Sequence, residues 1–188
     1  MIPSTKPSLA DVLEAHGKTV RDVIAPDLGV LFCGINPGLY SGATGHHFAR
    51  PGNRFWPTLH QAGFTSRLLT PAEEAELLIA GYGITNLVAR ATARADELES
   101  AELIVGRRRL FRKVKRNQPK IVAVLGIGAY RTAFHEPNAV LGPQPVPFAG
   151  ARLWVLPNPS GLNAHYQLVD LVHHFQALRR AASPAPGE

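Results

Sequence analysis

Two short segments of this chain are apolar at nearly every position: residues 29–33 and residues 121–125. A strand of that kind is buried on both faces, which is typical of a parallel sheet covered by helices. Two further extended segments, 84–88 and 153–156, alternate with helix-like segments along the chain. This alternation predicts an α/β fold, a three-layer αβα sandwich around a mainly parallel central sheet.

Helices are predicted where a capping residue precedes a helical apolar pattern. They cover residues 9–16, 54–63, 71–80, 100–117, 128–134 and 166–182, with Ser8, Asn53, Thr70 and Ser100 as caps of the first four. The glycine-rich segment 39–53 is predicted to be a long binding loop, and the proline-rich segment 141–150 a loop or an edge hairpin. No linker divides the chain, so we expect one domain over residues 1–188, with an N-terminal extension over 1–19 and a frayed tail over 183–188.

The chain is basic, with a formal net charge of +6 and a sequence pI of about 9.9, which favours a polyanionic partner. Many of the cations lie on the predicted helix 100–117. Its apolar residues are predicted to face the core: Leu103, Leu110, Phe111 and Val114. Its basic residues are predicted to face largely outward: Arg107, Arg108, Arg109, Arg112, Lys113, Lys115 and Arg116. This basic face fits either a solvated surface or a DNA contact.

The single cysteine, Cys33, lies within the first predicted strand, where we expect a buried small hydrophobe. One cysteine excludes an intramolecular disulfide and a cysteine-ligated iron–sulfur cluster. The histidine pairs at 46–47 and 173–174 have no further ligands spaced for a zinc site, so we expect no metal and no cofactor. No apolar run reaches the about 18 residues of a membrane span and no signal peptide is visible, so a cytoplasmic protein is expected.

Two of the predicted strands end in the same way. Asn36 and Pro37 follow the first strand, and Asn158 and Pro159 follow the last one. If these strands are parallel, both turns open on one edge of the sheet, where α/β proteins bind their ligands. Asparagine does not titrate, so such an edge suits positioning and hydrogen bonding rather than proton removal. The first turn by itself is equally compatible with an ordinary strand-to-loop connection.

Four motifs occur in order along the chain: GINPG at 34–38, GHHF at 45–48, PGNRFW at 51–56 and NPSGL at 158–162. In residues and spacing they resemble the mismatch-specific uracil-DNA glycosylases, which are bacterial relatives of thymine-DNA glycosylase. The likeness extends over residues 20–180, nearly the whole chain. The resemblance implies the uracil-DNA glycosylase-like fold.

The resemblance also implies a monofunctional DNA N-glycosylase of base excision repair. Such enzymes flip uracil out of double-stranded DNA and hydrolyse its N-glycosidic bond with water, leaving an abasic site. Thymine or modified cytosine opposite guanine are further substrates to consider. The expected partner is double-stranded DNA containing uracil or a mismatch such as G:U. We expect a monomer without membrane association, with downstream abasic-site repair enzymes as further partners.

Roles for individual residues come from the same resemblance. Asn36 matches the catalytic residue that positions the water. The base pocket is expected to comprise Ile35, Ser41, His47, Phe48, Asn86 and Asn158. The DNA-binding loop is expected to comprise Ser160, Gly161, Leu162 and Asn163, with Leu162 as an apolar wedge in the base stack. Bacterial relatives often carry arginine shortly after the wedge, and this chain does not.

Two other interpretations of the sequence compete with this one. A non-catalytic module that binds mismatches would keep the same fold, although it would have no need of the Asn36 amide. An unrelated nucleotide-binding α/β protein would carry a Gly-x-Gly-x-x-Gly turn or a phosphate-loop lysine after a strand, and neither is present. Phe48 and Trp56 could each serve the core instead of a site.

Overall fold

The computed structural model describes residues 6–183. Its centre is a sheet of five strands in the order β2-β1-β3-β5-β4. The strands are β1 (Val30–Gly34), β2 (Tyr82–Asn86), β3 (Ile121–Leu125), β4 (Gly142–Pro143) and β5 (Arg152–Leu156). The first four strands in this order are parallel, and β4 pairs antiparallel with β5 at the edge. The predicted α/β fold with a mainly parallel sheet is therefore confirmed.

Helices cover both faces of the sheet. They are α1 (Leu9–Leu13), α2 (Leu39–Thr44), α3 (Phe55–Gln61), α4 (Glu76–Ile79), α5 (Ser100–Asn117), α6 (Ile127–Phe134) and α7 (Leu168–Ala182), with 3₁₀ turns at Pro71–Glu73 and Ala95–Glu97. One apolar cluster joins the sheet to α3 and α7, and a second cluster joins it to α5 and α6. Between residues 6 and 183, no helix combines the length and the apolar character that crossing a membrane requires.

Strand β1 shows why a fully apolar strand produces three layers. Val30 and Phe32 pack into the cluster with α3 and α7, whereas Leu31 and Cys33 pack into the cluster with α5 and α6. Successive side chains of a strand point to opposite faces, so both faces of β1 are buried. Cys33 behaves as the expected small hydrophobe, and its burial raises the pKa of the thiol to about 12.

The segment 39–53 is not one continuous loop as the sequence predicts. Helix α2 occupies its first half, and the backbone N–H of Gly42 donates to the Gly38 carbonyl at 2.9 Å. Gly45 ends the helix with φ at 76°, a left-handed conformation that glycine adopts without steric cost. Glycine content alone was a poor guide here, because one glycine lies within the helix and another terminates it.

Several smaller predictions also need correction. The predicted helix 71–80 is split into the 3₁₀ turn and α4, α1 ends at Leu13, and α7 begins at Leu168. The residue that caps α5 is Glu99 rather than Ser100, and its N–H donates to the Glu102 side chain at 3.0 Å. Phe111 does not face the core: it is 42% exposed, and its ring meets the edge of Phe148 at the rim of the layer.

The carboxyl ends of the four parallel strands lie at one edge of the sheet. Beyond β1, the chain continues beside the segment that follows β2. The N–H of Val88 donates to the Ile35 carbonyl at 2.9 Å, and the N–H of Thr92 donates to the Pro37 carbonyl at 3.1 Å. These bonds hold the first Asn-Pro turn firmly over the edge of the sheet.

Candidate active site

A cleft of about 350 Å³ opens at this edge of the sheet. The segments after β1, β2 and β5 line it, together with α2 and the chain from 47 to 53. Of the residues predicted for the site, the cleft is lined by Ile35, Asn36, Ser41, His47, Phe48, Asn86, Asn158, Ser160 and Leu162. Gly161 and Asn163 are outside the lining but belong to the same loop as Ser160 and Leu162. A cleft of this size can accommodate one small planar ring.

The carboxamide of Asn36 is held in one orientation. Its Nδ2 donates to the Arg90 carbonyl at 3.0 Å and to Thr92 Oγ1 at 2.7 Å. A carbonyl can only accept, so the nitrogen of the amide must face Arg90 and the oxygen must face the other way. The hydroxyl of Thr92 in turn donates to the Arg94 carbonyl at 2.7 Å. Both donors of Asn36 are therefore occupied, while its oxygen accepts no hydrogen bond from the residues the structure describes.

Phe48 combines an unusual backbone with a supported ring. Its φ is 53°, in the left-handed region that non-glycine residues rarely adopt. The ring stacks on Phe55 with centroids 4.0 Å apart, and the indole N–H of Trp56 donates to the preceding carbonyl, that of His47, at 3.2 Å. Phe48 remains partly exposed and lines the cleft, whereas Trp56 is buried in the core. Held in this way, Phe48 presents a flat apolar surface to the cleft.

His47 sets the orientation of Asn86. The Nε2 of His47 lies 3.0 Å from the Arg21 carbonyl, so this nitrogen carries the proton, and burial lowers the pKa of the ring. A neutral ring protonated at Nε2 accepts at Nδ1, where Asn86 Nδ2 lies 3.3 Å away. The amide oxygen of Asn86 then lies over Gly34. A Cβ at Gly34 would be 2.4 Å from that oxygen, so only glycine fits beneath it.

Buried Glu74 holds the backbone of the histidine pair. Its carboxylate accepts from the N–H of His47 at 2.8 Å and lies 3.0 Å from Nδ1 of His46. The pair therefore serves the local fold of the chain beside the cleft. Within residues 6–183, no three His, Cys, Asp or Glu side chains are grouped so that they could hold a metal ion.

Ser41 Oγ and Asn158 Oδ1 each accept a hydrogen bond within the protein. Ser41 Oγ accepts from the N–H of Ala49 at 3.1 Å, which closes the turn after α2. Asn158 Oδ1 accepts from the N–H of Ser160 at 3.0 Å and shapes the loop after β5. Both residues line the cleft, but these atoms already have partners. The N–H of Gly161, by contrast, donates to no residue in the described part of the chain.

The cleft is also lined by polar residues to which the sequence assigned no role in the site. They are Tyr40, Arg50, Asn53, Thr92 and Arg94. Among the described residues, no aspartate or glutamate lines the cleft, while two arginines do. Thr92 follows no motif and carried no signal in the sequence. Arg50 lies in the segment predicted to be a binding loop, whereas Arg94 lies in a connection between β2 and α5 that only the fold places beside the cleft.

The basic face of α5 runs away from the cleft. The first turns of α5 lie beside it, because Glu102 pairs with Arg90 at 2.7 Å. Its last residue, Asn117, accepts from the N–H of Asp27 at 2.8 Å, in the segment that leads into β1 at the opposite edge. Lys113 is used in an ion pair with Asp22 at 2.6 Å. The exposed cations Arg108, Arg109, Arg112, Lys115 and Arg116 therefore extend from the middle of α5 towards the far edge.

Comparison with known proteins gives one family and a similar structure. The sequence model of the uracil DNA glycosylase superfamily matches residues 21–182 of this chain. The fold is similar to the solution NMR structure of a candidate uracil DNA glycosylase from Methanosarcina acetivorans. The two chains are 14% identical, the match covers 87% of this chain and 98% of that chain, and the TM-score is 0.55. At this identity the structural likeness establishes a shared fold.

Proposed function

Since the chain belongs to the uracil-DNA glycosylase superfamily and is a DNA glycosylase by family, we propose that it removes uracil from mismatched double-stranded DNA by hydrolysis. The observation that carries this proposal is the orientation of the Asn36 amide. Its nitrogen is bound to Arg90 and Thr92, so its oxygen is the atom available to a water in the cleft. A water that donates to this oxygen keeps a lone pair for the sugar carbon.

The walls of the cleft support a uracil ring as the bound group. Phe48, supported by Phe55, provides a surface on which a base can stack. The Asn86 oxygen can only accept a hydrogen bond, and the neutral His47 ring keeps it in that orientation. Uracil and thymine carry an N–H at N3 that such an acceptor can bind, whereas cytosine has no N–H there.

The charges around the cleft support departure of the base as an anion. The lining residues within the described chain include no carboxylate that could protonate the base. Exposed Arg50 contributes positive potential, whereas the charge of Arg94 is paired with Asp96 at 2.7 Å. The N–H of Gly161 is a further dipole near the same edge of the sheet. Donors arranged in advance around a developing negative charge are among the strongest sources of catalysis. We propose that the sugar–base bond breaks heterolytically and that the water held by Asn36 completes the hydrolysis.

Preference for mismatches is the finer part of the proposal. Leu162 is 61% exposed at the tip of the loop after β5 and borders the cleft. An apolar side chain there can fill the gap that a flipped nucleotide leaves in the duplex. Flipping costs least at a weak pair, so a G:U mismatch is favoured over a Watson–Crick pair. Exposed His165 follows the wedge and is the side chain that we propose for contact with the opposite guanine.

The competing proposal is a DNA module that binds mismatches without cleaving them. One assay separates the two. Duplex DNA with a single labelled uracil opposite guanine is incubated with the protein in excess EDTA, and abasic sites are then cleaved with alkali. Strand cleavage supports the glycosylase, and its absence despite tight binding to the same duplex supports the module. EDTA is included because we expect no metal requirement.

We predict that Asn36→Ala loses excision and retains DNA binding. Without the amide oxygen the water is no longer oriented, and the single-turnover rate should fall by on the order of 10² or more. Asn138→Ala is the matched control, because Asn138 is an exposed asparagine in the loop after α6. A rate for Asn36→Ala within about twofold of this control would remove Asn36 from the proposed role.

A further inference from the structure

The loop that connects β5 to α7 has no helix or strand of its own. This insertion loop, residues 157–167, is shaped internally by its own polar side chains. Asn163 Nδ2 donates to the Asn158 carbonyl at 2.9 Å, and the N–H of Asn163 donates to the Ser160 carbonyl at 3.0 Å. These bonds curl the loop but do not attach it to the rest of the protein. A loop that must hold Leu162 at its tip needs a further anchor.

Arg54 provides that anchor. Its guanidinium donates to three backbone carbonyls of the insertion loop, those of Ser160, Asn163 and Tyr166. The bond to the Asn163 carbonyl is 2.8 Å long. Its own backbone N–H donates to a fourth, that of Pro159, at 3.0 Å. Among the described residues, every hydrogen bond that reaches a carbonyl of residues 157–166 from outside the loop comes from Arg54.

The backbone carbonyl of Arg54 accepts from the N–H of Thr58 at 2.9 Å in α3, but its side chain has no evident role in that helix. Arg54 precedes α3, and a cation at a helix N-terminus is unfavourable because it opposes the helix dipole. The N-cap residue is Arg54 rather than the predicted Asn53, and the N–H of Phe55 at this end donates to Asn53 Oδ1 at 2.9 Å. Arg54 also forms no ion pair with a described residue. The polar contacts of its side chain are thus directed at the insertion loop.

The start of α3 connects the loop to the base-facing wall of the cleft. Phe55, next to Arg54, is buried and carries the stacked ring of Phe48. On the other side, Gly161 packs so closely on Gly52 that a Cβ at Gly161 would be 2.6 Å from the Gly52 carbonyl oxygen. The loop tip and the stacking surface are therefore supported by one short, well-packed segment.

We infer that Arg54 is a positioning residue that holds the insertion loop in the shape in which Leu162 can enter the duplex. This inference rests on the proposed function, because it concerns the wedge of that same site. Arg54 does not contact the reacting atoms in this role; it acts through Leu162. Arginine suits the task because its planar fork can donate to several carbonyls at once, and lysine cannot reproduce that geometry.

The test uses two variants of Arg54 and two substrates. Arg54→Met keeps the length of the side chain without its donors, and Arg54→Lys keeps the charge without the fork. Single-turnover excision is measured on uracil opposite guanine in a duplex and on uracil in a single strand, where there is no gap to fill. We expect Arg54→Met to lose roughly tenfold or more on the duplex and less than about twofold on the single strand. Arg54→Lys should fall between Arg54→Met and the unchanged protein.

Arg131→Met is the matched control. The Arg131 guanidinium also donates to a backbone carbonyl, that of Ala139 at 2.8 Å, but in the loop after α6. We expect it to leave the ratio of duplex to single-strand rates unchanged. Thermal melting of all variants shows which of them fold. If Arg54→Met does not fold, the test is made with Arg54→Lys alone.

A double-mutant cycle with Leu162→Ala decides whether Arg54 acts through the wedge. If it does, the variant with both changes is no slower on the duplex than Leu162→Ala alone. Additive losses, or equal losses on duplex and single strand, would overturn the inference. Failure of the proposed function is distinguishable from both, because the unchanged protein would then release uracil from neither substrate.

Discussion

Thr92 helps the Arg90 carbonyl to fix the direction of the Asn36 amide. It is 1% exposed, and its hydroxyl accepts from Asn36 while it donates to the Arg94 carbonyl. The hydroxyl thus accepts one hydrogen bond and donates another, which fixes its orientation. At the scale of single residues, the cleft depends on such occupied donors, which leave the amide oxygens of Asn36 and Asn86 without a hydrogen-bond donor among the described residues.

We predict that Thr92→Val slows excision without weakening DNA binding. Valine keeps the shape of threonine but cannot accept from Asn36 Nδ2, so the amide can rotate away from the water. The single-turnover rate should fall by about tenfold, as for other positioning contacts. Thr58→Val is the control, because Thr58 Oγ1 is buried without a partner among the described residues. A Thr92→Val rate equal to that of Thr58→Val would contradict this account of Asn36.

The lowered pKa of His47 leads to a prediction of how the stability of the protein depends on pH. Burial lowers the pKa of the folded ring below its ordinary value of 6.5. As the pH falls through 6.5, the unfolded chain binds a proton at this position before the folded chain does, so the free energy of unfolding decreases towards acid. The stabilising contribution of the neutral ring is fully present only above that pH. We predict that the free energy of unfolding by urea drops between about pH 7.5 and about pH 5.5, and that His47→Gln reduces this drop.

His174→Gln is the comparison for this measurement. Burial also lowers the pKa of His174, which lies on α7 away from the Glu74 contact. Its replacement should remove a separate and smaller part of the pH dependence, because His174 is less deeply buried than His47. If His47→Gln leaves the pH dependence unchanged, the ring is not held neutral in the folded protein.

At the scale of elements, the insertion loop presents an apolar residue where it cannot serve the core. Leu162 is exposed at the tip, and the side chains of Asn158 and Asn163 form hydrogen bonds with backbone groups of the loop. A single exposed apolar side chain is ordinary on a protein surface, so what sets Leu162 apart is its place beside the cleft. This geometry is what an apolar wedge requires: a side chain that is available in the free protein and becomes buried in DNA.

We predict that Leu162→Ala weakens excision from duplexes and has little effect on stability. Without the wedge, the stacking lost on flipping is not replaced, so fully paired uracil should be affected most and single-stranded uracil least. A buried leucine would cost about 2–5 kcal/mol on the same change, whereas exposed Leu162 should cost less than about 0.5 kcal/mol. Melting curves and excision rates on the two substrates test both parts. A large loss of stability would show that Leu162 serves packing.

At the scale of the whole molecule, positive charge is distributed over two regions. Arg50 borders the cleft together with Arg94, whose charge is paired with Asp96, whereas the exposed cations of α5 extend towards the opposite edge of the sheet. The net charge of +6 attracts DNA at long range irrespective of where the cations lie. Contacts that release counterions, however, are made only where the duplex sits.

We therefore predict a salt dependence that distinguishes the two regions. DNA affinity should fall linearly with log salt concentration, and Arg50→Gln should reduce the slope by about one. Replacing Arg112, Lys115 and Arg116 together by glutamine should leave the slope unchanged, because these residues do not line the cleft and lie on the part of α5 that extends away from it. A slope reduced by about three in that triple variant would show that the duplex contacts α5.

The sequence alone was sufficient for the architecture and for much of the cleft. Strands that are apolar at every position must be covered on both faces, and parallel strands bring their carboxyl ends to one edge. From these two facts Asn36 and Asn158 were expected together, and both line the cleft. The exceptions were local: α2 lies within a glycine-rich segment, and Phe111 lies at the rim, because neither glycine content nor helical spacing specifies what packs alongside.

Only the tertiary structure decided which polar atoms are already bound. Asn36 meets Thr92 across 56 positions of sequence, and Arg54 meets the insertion loop across more than 100. Whether an amide presents its oxygen or its nitrogen depends on partners within about 3 Å, and packing of distant segments determines those distances. Residue types and their order therefore indicated a positioning site, while the direction of Asn36 and the anchoring by Arg54 required the folded chain.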